Sequence, residues 1–274
     1  MKKHSVIAFI GCGNLSTSLV RGLLASGYPK EKIWVTNRSA DKNKMLRESF
    51  GVHASEDNHE AAKHAEVIVL GVKPQQMQLL AKDLAFIVQE KKPLVISVAV
   101  GISTAMLSRW LGGDVALVRS MPNTPAVVSA GASGLYANAC VTASQKDFAE
   151  SLHRAVGIAI WVDKESLIDV VAAVSGSGPA YFFYIIEAMQ VAAVKFGLPE
   201  REANELALQT ALGASRLALE SEDDVVTLRK KVTSPKGTTE QAIKVFDERQ
   251  LSSIIEAGMQ AAIQRAQALT ASLE

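Results

Sequence analysis

The chain of 274 residues is short of several features that define other classes of protein. Its two cysteines, Cys12 and Cys140, form no Cys-x-x-Cys pair and are too few for a disulfide scaffold, which fits a reducing, cytoplasmic setting. Net charge is +1, from 29 basic and 28 acidic residues, with no block of like charges. Neither a nucleic-acid surface nor an acidic tail is therefore indicated, and the expected partner is a small molecule. No apolar run approaches the roughly 20 residues that span a bilayer. Met1-Lys2-Lys3-His4 leads into a short apolar segment that stops at Gly11, too short for an export signal, so neither membrane insertion nor export is expected. All five histidines and all three tryptophans precede residue 164. His59 and His64 stand five apart, off a common helix face, and the second half holds neither His nor Cys, so no metal site is expected.

What is present is a well-packed chain, 48% apolar, with two textures. The first half alternates short β-rich runs with helical patterns. Residues 6–10 form an apolar run halted by Gly11, as in a strand buried on both faces of a parallel sheet. Further runs lie at 33–36, 67–70, 94–98 and 115–118, with helical stretches at 14–27, 40–49, 74–88 and 103–110. This βαβ periodicity predicts a doubly wound α/β sheet, extended by strands near 134–136 and 158–162, with ligands at the carboxyl ends of its strands. After about residue 164 the pattern is all helix, with small residues on several faces at 203–219 and 254–269. So much apolar surface on about 110 residues favours helices interleaved with a second copy, a self-contained bundle being the alternative.

Gly11-Cys12-Gly13-Asn14-Leu15-Ser16 follows a strand and opens a helix, the context a dinucleotide fingerprint requires. Gly11 permits the tight turn, Gly13 lets backbone approach a pyrophosphate, the helix start offers unpaired N–H donors, and Ser16 is small enough for close packing. A tight turn without a ligand is the plainer reading of the same residues. The second strand ends without the Asp or Glu that would bind ribose hydroxyls in an NAD site. It runs into Thr36-Asn37-Arg38-Ser39, whose donors and guanidinium suit a 2′-phosphate, so NADPH is the expected cofactor and NADH the alternative. Arg38 as the cap of a solvated loop would need no ligand, and Lys42 adds charge to the same pocket or merely solvates a helix face. Val72-Lys73-Pro74 and Met121-Pro-Asn-Thr-Pro125 are further loops at the same edge.

In the helical half, Gly176-Ser177-Gly178-Pro179 leads to Phe182 where hydroxyacid dehydrogenases of similar layout commonly place a catalytic Lys. A reduction needing little acid–base help, such as that of a protonated imine, suits this chain better than that of a ketone. Val232-Thr-Ser-Pro-Lys-Gly-Thr-Thr-Glu240 precedes another helical pattern. Ser234, Thr238 and Thr239 offer hydroxyl donors beside first-turn amides, which reads either as a carboxylate cradle or as an ordinary helix cap.

Gly11-Cys-Gly-Asn, Asn37-Arg38, Val72-Lys-Pro74, Met121-Pro-Asn-Thr-Pro125, Ser175-Gly-Ser-Gly-Pro-Ala-Tyr181 and Val232-Thr-Ser-Pro-Lys-Gly-Thr-Thr239 occur in the order found in pyrroline-5-carboxylate reductases, which the chain resembles over its whole length. The resemblance implies NAD(P)H-dependent reduction of 1-pyrroline-5-carboxylate to L-proline. It also implies a Rossmann-type NAD(P)-binding domain at 1–163 and a helical substrate-binding and dimerisation domain at 164–274, whose dimers assemble into decamers. It places Gly11, Gly13, Asn14, Leu15, Asn37, Arg38 and Ser39 on the adenosine and phosphate half of the cofactor, and Asn58, Val72, Lys73 and Pro74 at its ribose and nicotinamide end. Ser234, Gly237, Thr238 and Thr239 match the substrate-carboxylate loop, and the hydroxyl matching Thr239 contacts the ring nitrogen. Lys236 stands where the family usually has Gly. The family gives Glu222 a helper role, although a solvated Glu in its acidic run reads as well. A reductase of another small acid and a non-enzymatic NADPH sensor remain the competing classes.

Overall fold

The structure is a computed structural model that describes residues 4–273; the basic start at residues 1–3 lies outside them. The described residues form one sheet of strands β1 (Ile7–Ile10), β2 (Ile33–Thr36), β3 (His53–Ser55), β4 (Val67–Leu70), β5 (Leu94–Ser97), β6 (Leu117–Met121), β7 (Gly131–Ala137) and β8 (Gly157–Trp161). Its order is β3-β2-β1-β4-β5-β6-β7-β8. Helices α1 (Asn14–Ala25), α2 (Ala40–Phe50), α3 (Asn58–His64), α4 (Pro74–Lys91), α5 (Thr104–Trp110), α6 (Ala143–Arg154) and α7 (Leu167–Val171) intervene or follow. Then come α8 (Gly178–Lys195), α9 (Glu200–Glu220), α10 (Val225–Lys231), α11 (Thr238–Glu248) and α12 (Leu251–Ala271).

The sheet is parallel from β3 through β6, as the alternation of strand and helix requires. Alternate residues of β1 enter opposite cores, Ile7 and Phe9 on one face and Ala8 and Ile10 on the other. A strand with helices on both faces has no polar side, which is why the apolar run is continuous. Fully burying a side chain such as Phe9 contributes about 1.5–3 kcal/mol. Two features depart from the expected open parallel sheet. β7 runs antiparallel to β6, because the chain between them makes only a short 3₁₀ turn at Thr124–Val128 and not the crossover helix that a parallel pair needs. β3, at the sheet edge, has the sequence His-Ala-Ser and carries no apolar run.

Parallel register aligns the strand ends. Ile10 pairs with Thr36 and Leu70, and Thr36 pairs with Ser55. Gly11, Asn37, Glu56 and Gly71 therefore all begin loops along one edge of the sheet. Caps fix the helices there: the Asp57 carboxylate accepts from the His59 and Glu60 amides to start α3, and Pro74 occupies the first turn of α4.

The contacts form two compact units. One runs to Ser177 and resumes at Ala261; the other is Gly178–Gln260. The boundary expected at 163/164 falls at the end of the sheet. Past it, α7 packs on β6 and β7, and near the end of α12 Ala266 is buried and Leu269 lies against Gly101. Arg119 of β6 ties this edge together: its Nη2 lies 2.8 Å from Asp169 and its Nη1 3.5 Å from Glu165, which itself accepts from the Thr104 amide and hydroxyl. In the second unit, α8 and α9 pair, yet Phe182, Phe183 and Tyr184 are more than half exposed. By length and composition alone, the stretch Leu167–Lys195 is apolar enough to cross a membrane. The same surface suits burial against another protein copy.

Behind β6, His153 is fully buried, with Nδ1 2.8 Å from the Ala149 carbonyl and Nε2 2.7 Å from Ser120 Oγ. A carbonyl can only accept, so Nδ1 carries the proton and Nε2 accepts from the serine hydroxyl. Desolvation dominates and pushes the imidazole pKa down to about 4, against the opposing Ala149 hydrogen bond. A depressed histidine pKa stabilises the fold fully above the free value of 6.5, and this contribution is lost as pH falls from there toward 4. Over that window the unfolding free energy should drop by on the order of 3 kcal/mol more in the parent than in His153→Asn. Denaturant titrations at several pH values measure this, and parallel profiles would show that His153 does not control the dependence.

Candidate functional site

At the aligned strand ends lies a cavity of about 750 Å³. Its floor is the turn after β1. The Gly11 and Cys12 amides both donate to the Thr36 carbonyl, at 3.2 and 2.9 Å, so the turn is clamped to the end of β2. Gly11 has φ +80°, and a Cβ there would lie 2.5 Å from Val72 Cγ1, so conformation and space both demand glycine. Gly71, across the turn, approaches just as closely: a Cβ on it would sit 2.4 Å from Ser16 Oγ and 2.6 Å from the Gly11 carbonyl. Ser16 is buried, as its small size in the fingerprint suggests.

Gly13 differs from these two. Its φ is −75°, it lines the cavity, and a Cβ would meet nothing within 4 Å. A side chain would therefore project into the open cavity. Gly13 caps α1 without a side-chain hydrogen bond, and the first turn contains no acid. Uncapped amides at the positive end of a helix suit a pyrophosphate. Cys12 adds no opposing charge: burial pushes its thiol up to about 11, over the opposing effects of Thr17 and Lys42. The residues thus fit a dinucleotide.

Asn37 and Arg38 line the cavity, with Lys42 beside them, and neither cation has a carboxylate within ion-pair distance among the described residues. Asn58, Val72 and Lys73 line it as well. Asn58 Oδ1 accepts from Thr36 Oγ1 at 2.7 Å, which ties α3 to β2. The remaining expected cofactor residues shape the site without lining it. Leu15 packs its side chain on the core and can offer only its amide, Asn14 opens α1, Ser39 caps α2 through the Lys42 amide, and Pro74 starts α4.

The sequence reading missed Gly71, Glu56, Gln76 and Asp83, which also border the cavity. It also missed Asn43, a buried amide whose Nδ2 donates to the carbonyls of Asn37 and Ser55 at 2.9 and 3.0 Å. An Asn four residues after the helix-capping Ser39 was the available signal. Farther along the edge two quoted motifs meet. Asn123 Nδ2 donates to the Ser175 carbonyl at 3.0 Å, and a Cβ on Gly176 would strike Met121 Cε at 2.5 Å. The chain at Ala172–Gly176 is a π-helical turn, a form that recurs at functional sites.

The second unit carries the hydroxyl-rich segment. The Gly237 amide donates to the Ser234 carbonyl at 3.0 Å, and a Cβ on Gly237 would lie 2.6 Å from Ser234 Oγ, so serine folds tightly over the glycine. Gly237 caps α11 with no side-chain bond, leaving the amides and hydroxyls of Thr238 and Thr239 exposed at the helix start. Lys236 has φ +61° and its amide donates to Glu240 at 2.8 Å. It thus holds a glycine-like conformation at a cost of about 1 kcal/mol, and the loop closes despite the side chain. Glu222 is exposed between caps and ion pairs formed by its neighbours Asp223 and Asp224.

Comparison with known proteins covers both units. A family model for pyrroline-5-carboxylate reductase dimerisation matches residues 165–269, and one for coenzyme F420-dependent NADP oxidoreductases matches residues 6–101. The pyrroline-5-carboxylate reductase of Pseudomonas aeruginosa is 47% identical over 97% of each chain, and that of Escherichia coli 37% over 97% of this chain and 98% of its own. Among solved structures, a pyrroline-5-carboxylate reductase from Coxiella burnetii is 50% identical, covering 98% of this chain and 99% of its own, with a TM-score of 0.94. The Plasmodium falciparum pyrroline carboxylate reductase with NADP bound is 25% identical, covering 97% and 98%, with a TM-score of 0.86.

Because the turn, β2 and β4 meet at backbone distance, Gly71→Ala should displace the Gly11 carbonyl, destabilise the protein by about 1–3 kcal/mol and weaken dinucleotide binding. Calorimetric titration alongside thermal melting checks this. Unchanged binding would mean that the close approach does not shape the cavity.

Proposed function

Because the chain belongs to the pyrroline-5-carboxylate reductase family, it carries out the NAD(P)H-dependent reduction of 1-pyrroline-5-carboxylate to L-proline, the last step of proline biosynthesis, and we propose the following division of that work among its residues. The observation that carries the reading is the joint presence of the glycine-floored cavity and the uncapped, hydroxyl-rich start of α11 in a chain similar to these reductases from end to end.

The bound nicotinamide supplies the hydride for the imine carbon. The Gly11 turn and the Asn14 and Leu15 amides hold the pyrophosphate. Asn37, Arg38 and Ser39 take the adenosine phosphate, which favours NADPH over NADH because a guanidinium matches phosphate geometry and charge. Asn58, Val72 and Lys73 line the ribose and nicotinamide end, and Pro74 shapes that end by starting α4 beside them. Ser234, Gly237 and Thr238 fix the substrate carboxylate with hydroxyl and amide donors. Thr239 is the catalytic residue, orienting the ring nitrogen through its hydroxyl. A protonated imine is already activated, so the chain needs no strong acid, and positioning supplies most of the rate.

The domains divide this labour, 1–163 for the cofactor and 164–274 for the substrate and self-association. The exposed apolar face of α8 pairs with a second copy, dimers build decamers, and the enzyme works in the cytoplasm, away from nucleic acid and membrane. The apolar side chains of α8 and the free thiols Cys12 and Cys140 support this picture.

Thr239→Ala should lower kcat about a hundredfold while leaving the Kd for NADPH unchanged. Steady-state kinetics with direct cofactor titration test this, and unaltered turnover removes Thr239 from the chemistry. Arg38→Ala should raise the KM for NADPH about tenfold and that for NADH little, since one charge-assisted contact is lost. Equal changes for both nicotinamides would remove the phosphate assignment.

A further inference from the structure

The end of β2 carries no acid, but the neighbouring strand brings one to the same place. β3 pairs with β2 in parallel, Thr36 opposite Ser55, so the residues just past these ends, Asn37 and Glu56, leave the sheet side by side. Asn43 fixes their spacing by donating to the carbonyls of both Asn37 and Ser55. Arg38 and Glu56 thus follow backbone groups held by one buried amide, and both line the cavity. They form no ion pair with each other, and neither has another charged partner among the described residues. The other cavity carboxylate, Asp83, is 2.8 Å from His59 Nε2. A guanidinium and a carboxylate therefore stand unpaired at one wall of the site.

These two groups make opposite demands on a dinucleotide. A carboxylate there accepts hydrogen bonds from ribose hydroxyls and repels a 2′-phosphate, whereas Arg38 attracts the phosphate. We propose that Glu56 is a cofactor-specificity residue, which accepts from the adenosine ribose of NAD(H) and offsets Arg38 toward NADP(H), making the cavity a dual-cofactor site. The inference rests on the reading of Arg38 as the phosphate ligand. Its consequence is that the preference for NADPH is smaller than Arg38 alone would impose. Charge on Glu56 repels a dianionic phosphate held in the same cavity, an effect of about tenfold in affinity at low ionic strength that salt screens.

Equilibrium titrations of the purified protein with NADP⁺ and with NAD⁺ test this without turnover. Glu56→Gln should raise the ratio of the NAD⁺ to the NADP⁺ dissociation constant about tenfold, chiefly by tightening NADP⁺, and the rise should shrink in high salt. Glu56→Ala, which also removes the acceptor, should weaken NAD⁺ further. Arg38→Ala in the same titration should weaken NADP⁺ selectively. If it does so while both Glu56 variants leave the ratio unchanged, Glu56 is a solvated rim residue and the inference fails. If Arg38→Ala leaves NADP⁺ binding intact, the underlying phosphate assignment fails, and the inference with it.

Discussion

The Gly11 and Cys12 amides share a single acceptor, the Thr36 carbonyl, and the rest of the cofactor edge is arranged around that clamp. Holding the turn against β2 brings Gly11 onto Val72 and Gly71 at distances that exclude any side chain. It also leaves Gly13 facing open space and aims α1 at the cavity. Thr36 uses its hydroxyl as well, donating to Asn58, so one residue at a strand end joins the Gly11 turn, the second strand and α3. Such sharing makes the site stiff, because no member can move without unpairing a buried polar group.

Charge at this edge is distributed by the same geometry. The fingerprint cysteine stays a neutral thiol, the first turn of α1 has no acid, and Arg38 and Lys42 are left without carboxylate partners. A chain of net charge +1 thereby keeps unpaired cations at a cavity suited to an anionic ligand, without an overall basic surface. The start of α11 is shaped by its backbone instead: Gly237 permits Ser234 to fold back, Lys236 adopts a conformation that glycine would hold free of strain, and Glu240 of the first turn accepts from the Lys236 amide.

Much of this was legible in the residues. β1, β2 and β4 are continuous apolar runs because both their faces are covered, and the glycine fingerprint names its own turn. β3 was not legible: an edge strand of three residues, half-buried at most, leaves no periodic trace. Missing it hid Glu56 and the bridging role of Asn43, although β2 itself ends without an acid, as its residues show. Gly71 was hidden for a different reason, since it stands outside the Gly-x-Gly spacing and its constraint comes from a turn about sixty residues away. The antiparallel β7 depended on a connection too short for a helix, and Leu15 spends its side chain on the core although its backbone belongs to the turn. The hydroxyl cluster at 234–239 was visible as a motif, but the left-handed Lys236 that closes it was not.

The most direct measurement follows the transferred hydrogen itself. The protein is incubated with 1-pyrroline-5-carboxylate and NADPH carrying deuterium at both C4 positions of the nicotinamide, and the product is analysed by mass spectrometry. Direct hydride transfer to the imine yields proline carrying the label on the former imine carbon. Proline without the label, or no proline formed, would contradict it.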